Sequence, residues 1–189
     1  VNKLFAEDGK TMSDTEKCII CGSAAGTLID RSNLYHHCFY KCPNCGNFYV
    51  SYKFYHKKPQ ALEEVRRHAA VISGYIREMN EIGHHSKCLT STLWVSILND
   101  ELVPKTFDEK AMKLLQYVER RMGRTGEPVN LYHGEQPALC YASSKDEVLL
   151  LIGMMTENGY LKPQGDGFYI LTEKGRDFLD GKEIMVIEL

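Results

Sequence analysis

The chain has no run of apolar residues near the roughly 18 to 20 that a membrane-spanning helix needs, and its N-terminus lacks the apolar centre of a secretory leader. On those absences it is expected in the cytoplasm, with no membrane partner. It also lacks common catalytic signatures. No Gly-rich phosphate loop follows a strand, and neither Gly-x-Ser-x-Gly nor His-Glu-x-x-His occurs, so nothing points to nucleotide, serine-hydrolase or metallohydrolase chemistry. The expectation is a protein that is not an enzyme. A large net charge is missing too: 23 Lys and Arg stand against 25 Asp and Glu.

That near balance hides an asymmetry. Residues 1–60 carry 8 basic against 5 acidic side chains, residues 61–130 carry 10 against 10, and residues 131–189 carry 5 against 10. A polyanion would be drawn to the front of the chain and repelled by its back. With 189 residues, 43% of them hydrophobic, the chain can bury one principal core and a small satellite. Residues 1–17 read as an N-terminal extension, and Met12 within it opens "MSDTEKC" like an ordinary start, which sets residues 1–11 apart.

What is present in quantity is cysteine. Seven is an odd count, and four of them form two Cys-x-x-Cys-Gly words, Cys18 and Cys21 in "CIICG" and Cys42 and Cys45 in "CPNCG". That spacing favours a metal site over a secreted disulfide framework. The glycine after each pair lets the chain curl so that backbone N–H groups point at the thiolates. Two facing knuckles make one tetrahedral zinc site, and four thiolates close it, leaving no position for a reacting water. The Zn2+ is therefore expected to be structural.

Strands are expected at Thr27 to Asp30, at Leu34 to Tyr40 and in "NFYVSY", with a turn at Arg31 to Asn33. Knuckle, hairpin, knuckle and strand resemble a zinc ribbon over residues 18–57. Cys38, His36 and His37 are rival ligands. Cys38 shares a strand face with Tyr40 and is expected to pack inside the small sheet. Lys41, Lys53, Lys57 and Lys58, interleaved with Tyr and Phe, form a surface suited to phosphate contact and base stacking.

Residues 58–104 read as a helical connector. In "ALEEVRRHAAVISGYIREMN", Leu62, Val65, Ala69, Ile72, Ile76 and Met79 give one apolar stripe, with Gly74 inside it and Arg66, Arg67 and Arg77 on a solvated face. "IGHHSKC", with His84, His85 and Cys88, reads as a loop, and "TSTLWVSILND" as a short helix. Residues 105–189 follow. Thr106 with Glu109 forms a capping box for a helix over 107–122, whose end carries Arg120 and Arg121, with Arg124 in the turn beyond, as candidate phosphate contacts. "ALCYA" suggests a short helix. Ser144 with Glu147 caps another, closed by Gly159; then come strands at Tyr160 to Lys162 and Phe168 to Leu171, the turn "PQGDG" between them, and a last helix in "TEKGRDFL". The expected class is α+β: a small N-terminal zinc ribbon, then a mainly helical domain ending in a winged helix. Its helix before the wing carries Lys145 alone against Asp146, Glu147 and Glu157, a poor surface for DNA.

The knuckles together with "ISGYIREMN", "AMKLLQYVERR" and "LTEKGRDFL" resemble a bacterial architecture in which a zinc-ribbon and winged-helix region precedes a TIR-like or nucleoside 2-deoxyribosyltransferase-like domain in phage-defence proteins. The resemblance spans roughly residues 18 to 180 and implies a sensing or regulatory region that docks a protein partner or an effector domain. In that architecture the catalytic domain would begin near "GKEIMVIEL", so the chain is read as a piece of a longer effector or a standalone relative. A nucleic-acid-binding protein, reading DNA or RNA with the basic ribbon, is the alternative, and a homo-oligomer stays open in either case.

Overall fold

The computed structural model describes residues 12–30, 37–55, 59–84, 88–90, 92–123, 126–131 and 136–181. They form a mixed α+β structure in two compact units, Val1–Val103 and Pro104–Leu189. Among the described residues no helix is long and apolar enough to cross a membrane.

The first unit is built on strands β1 (Met12–Lys17), β2 (Ala24–Asp30), β3 (His37–Cys42) and β4 (Gly46–Ser51). They pair in chain order, each antiparallel to the next. β1 lies in the stretch read from sequence as an extension; its polar "MSDTEK" carries no apolar alternation, and only pairing with β2 makes it a strand. Alternation along β3 and β4 sends Cys38, Tyr40, Cys42, Phe48 and Val50 inward, and Tyr40 stacks on Phe48 across the strands at 5.1 Å.

Three helices follow, α1 (Tyr52–Tyr55), α2 (Pro59–Arg67) and α3 (Ala69–Glu81). The long apolar stripe is thus cut at His68. Val65, Ile72, Ile76 and Met79 are buried all the same, because a one-residue break leaves the stripe in phase. Cys88, expected in a loop, forms β5 with Leu89, parallel to β4 in the register Tyr49–Cys88 and Val50–Leu89. α4 (Leu93–Leu98) packs against α3 and β5. Residues 59–98 of the stretch read as a connector therefore belong to the same unit as the strands.

The second unit runs α5 (Phe107–Met122), β6 (Val129–Asn130), a 3-10 turn at Pro137–Cys140, α6 (Lys145–Glu157), β7 (Leu161–Pro163), β8 (Phe168–Leu171) and α7 (Glu173–Leu179). Its sheet has the order β6-β8-β7, all antiparallel. The capping box of α5 forms in both halves: Glu109 N–H donates to Thr106 Oγ1 at 3.2 Å, and Thr106 N–H to Glu109 Oε2 at 3.1 Å. At α6, Ser144 Oγ accepts from Glu147 N–H, but the Glu147 carboxylate turns back to the Ser143 N–H at 2.7 Å instead of that of Ser144. Leu114, Val118, Leu151, Ile152, Met155, Leu161, Leu171 and Phe178 fill one core.

Candidate metal centre

Each cysteine knuckle is shaped by its own backbone. Gly22 N–H donates to Cys18 O at 2.9 Å, and Cys18 N–H to Ser23 O at 2.7 Å, folding the first knuckle back on itself. Gly22 and Gly46 have φ of +77° and +83°, left-handed values that only glycine adopts without strain. In the second knuckle Cys45 N–H points at Cys42 Sγ, 3.4 Å away.

The antiparallel ladder then places the knuckles face to face. All four sulfurs, of Cys18, Cys21, Cys42 and Cys45, lie within 4.8 Å of one another. Cys18 Sγ is 3.8 Å from Cys45 Sγ, and Cys21 Sγ is 3.6 Å from Cys42 Sγ. A tetrahedral tetrathiolate ion with metal–sulfur bonds of about 2.3 Å has sulfur–sulfur edges of about 3.8 Å. The set fits a metal ion.

The four sulfurs are close enough to govern one another's ionisation. Hydrogen bonding with Cys21 holds the Cys18 thiol well above the ordinary range, and hydrogen bonding with Cys18 does the same for Cys45. Bonds from the Cys18 thiol push Cys21 and Cys42 down. Four thiolates this close repel one another, so full ionisation needs a cation among them. Cys18, Cys42 and Cys45 are buried and Cys21 is half-buried.

Cys38 is buried outside the cluster, on the inner face of β3. Lys41 and Lys53 are exposed. Phe39 and Tyr49, neighbours of Lys41 on the outer face of the sheet, are half-buried with ring centroids 5.0 Å apart. In the second unit Arg121 is exposed and Arg120 half-buried. Lys57, Lys58, Arg124, His36 and His85 lie outside the described residues, as does most of the N-terminal extension.

Sequence reasoning missed three residues of α3 that meet the second knuckle. Ser73 Oγ sits 3.2 Å from Cys45 Sγ, and both side chains are buried. Arg77, expected on a solvated face, is only 16% exposed: its Nη1 donates to Pro43 O at 2.8 Å and Asn44 O at 3.3 Å, and its Nε to Glu81 at 2.9 Å. Asn80 accepts from Asn47 N–H at 3.2 Å and donates to Asn47 O at 2.9 Å. Ser73, Arg77 and Asn80 recur at steps of four and three, a polar row beside the apolar stripe, and that spacing was the available signal.

The chain matches no known protein family, no characterised protein and no solved structure.

Proposed function

We propose that the protein is a non-enzymatic, zinc-stabilised sensing or regulatory module that docks a protein partner or an effector domain. The observation that carries the reading is the closed set of four sulfurs. Thiolates at tetrahedral spacing suit zinc, and a site with no open ligand position serves structure and not chemistry. A zinc ribbon over the two knuckles, held by one such ion, is the fold this set supports.

The second unit is read as a winged helix used for protein contact. The order α5, β6, 3-10 turn, α6, β7, β8 and the sheet order β6-β8-β7 support the fold. The surface supports the use: α6 exposes Leu149 and Leu150, at 40% and 56%, among Lys145, Asp146 and Glu157. A helix that entered a DNA groove would carry basic or amide side chains at those positions. The likeness of the knuckles and helix words to phage-defence proteins suggests bacterial defence as the setting.

One observation favours a second reading. The Phe39–Tyr49 pair beside exposed Lys41 is a small stacking platform with a phosphate contact, as a DNA- or RNA-binding ribbon would need. Titration of the zinc-loaded protein against single- and double-stranded DNA and RNA, followed by fluorescence anisotropy at low and physiological salt, separates the two. The docking reading expects no binding that survives physiological salt. Salt-resistant binding lost in a Lys41→Ala, Lys53→Ala variant would replace it with the second.

A further inference from the structure

We infer that α3 is the closing wall of the metal centre, so that metal occupancy governs the order of α3 itself and not only of the cysteine knuckles. The inference rests on reading Cys18, Cys21, Cys42 and Cys45 as a metal site. It goes beyond that reading because α3 supplies no ligand.

Three side chains from one side of α3 hold four residues of the second knuckle, Pro43, Asn44, Cys45 and Asn47. Ser73 faces the sulfur of Cys45, Arg77 takes the carbonyls of Pro43 and Asn44, and Asn80 takes both backbone groups of Asn47. Asn80 thereby pairs with Asn47 much as a neighbouring strand residue would. Its side chain lies so close to Gly46 that a Cβ there would stand 3.2 Å from Asn80 Cγ. The grip therefore needs the knuckle in this one conformation, with its left-handed glycine and its two sulfurs turned the same way.

A metal ion enforces that conformation. An ion bound by all four sulfurs fixes Cys42 and Cys45 relative to Cys18 and Cys21, and with them the backbone between residues 42 and 47. On release of the ion, the acceptors at residues 43, 44 and 47 disperse, and α3 loses its polar attachments while keeping its apolar stripe.

Ser73 is the positioning residue at the centre of this coupling. In the structure the Cys45 thiol donates to Ser73 Oγ; with Cys45 bound to a metal as thiolate the hydroxyl becomes the donor, and a buried charge-assisted hydrogen bond holds the ligand in its coordinating rotamer. Cys45 is thus clamped from behind. Cys21 is the half-buried member of the set.

Two measurements on the full chain test this. The first is hydrogen exchange of the zinc-loaded and chelator-treated protein. Amides of residues 72–81 are expected to lose protection together with those of residues 42–47. Protection of α3 that stays unchanged after the metal is removed would overturn the coupling. The second uses Co2+ as a spectroscopic stand-in, with transfer of the ion to a chromophoric chelator. Ser73→Ala is expected to weaken retention about 10- to 100-fold and to shift the sulfur-to-cobalt charge-transfer band, whereas Ser73→Thr, which keeps the hydroxyl, restores both. Because the threonine methyl enters a buried position, Asn80→Asp is the second variant: it keeps the side chain's size, removes the donor to Asn47 O, and is also expected to speed release. If Ser73→Ala and Asn80→Asp both retain Co2+ like the parent, the wall plays no part. A parent chain that gives no tetrahedral thiolate spectrum would instead refute the four-cysteine site itself.

Discussion

At the scale of single residues, the described structure sorts the cysteines by surroundings and not by chemistry. Cys18, Cys21, Cys42 and Cys45 converge, while Cys38, four positions before Cys42, is held on the inner sheet face by strand alternation. Serine at any one of the four is expected to abolish the cobalt charge-transfer spectrum and the protection of the first unit's amides. Cys38→Ala is expected to retain both, and loss of the metal in that variant would place Cys38 among the ligands. Cys140 follows a third pattern. Burial pushes its thiol up to about 12, so it is protonated and shielded at neutral pH. Thiolate is the species that alkylating reagents attack. Iodoacetamide at about pH 8 should therefore leave Cys140 unmodified in the folded protein and label it only as the second unit opens.

Among the elements, what the sequence made legible depended on how far each signal reached. The caps at Thr106 and Ser144, the cysteine knuckles and the long helix stripes are local patterns, and each appears where the residues placed it. β5 and β6 are two residues long and exist through pairing with distant strands, so no alternation could announce them. Arg77 was misread because an arginine beside an apolar stripe looks the same whether it meets water or a knuckle's carbonyls. Two contacts show how tightly the second unit's elements are fitted. A Cβ on Gly175 would meet Tyr160 O at 2.5 Å and Leu171 Cδ1 at 2.6 Å, so Gly175→Ala must push α7 off the sheet. A loss of about 1 to 3 kcal/mol is expected in urea melts of that unit. Lys110 Nζ on α5 lies 2.6 Å from Glu147 Oε1 at the start of α6, both side chains largely buried. Burial raises the Glu147 carboxyl, but the bonds from Lys110 and Ser143 outweigh it and the net displacement is downward from 4.5. A carboxylate depressed in the folded state stabilises above its unfolded value and loses that contribution as pH falls through the folded one. The second unit should accordingly weaken as pH drops below about 4.5, and Glu147→Gln should flatten that dependence at a cost of about 1 to 3 kcal/mol at neutral pH.

For the whole molecule, the decisive feature is that the metal site and the second unit's core share no residue. The core formed by Leu114, Val118, Leu151, Met155, Leu171 and Phe178 lies wholly within residues 104–189, and the four cysteines lie wholly within residues 1–103. Burial of apolar side chains is a sufficient source of order for the second unit, with capped helices α5 and α6 at its centre. The first unit also buries apolar side chains, Phe48, Val50, Ile72 and Ile76 among them, but it alone contains the four cysteines, and an ion that they bind only in the folded form stabilises it further by mass action. The two should therefore respond differently to a chelator. Calorimetry of the zinc-loaded chain is expected to show two transitions, of which excess chelator lowers or abolishes one and leaves the other in place. Hydrogen exchange identifies them, since amides in residues 107–179 should keep their protection while those of residues 38–50 lose it. If both units lost protection together, the second unit's order would depend on the metal despite its having its own core. Independent transitions would instead confine the response to metal to the first unit, which is the behaviour the separate cores lead us to expect.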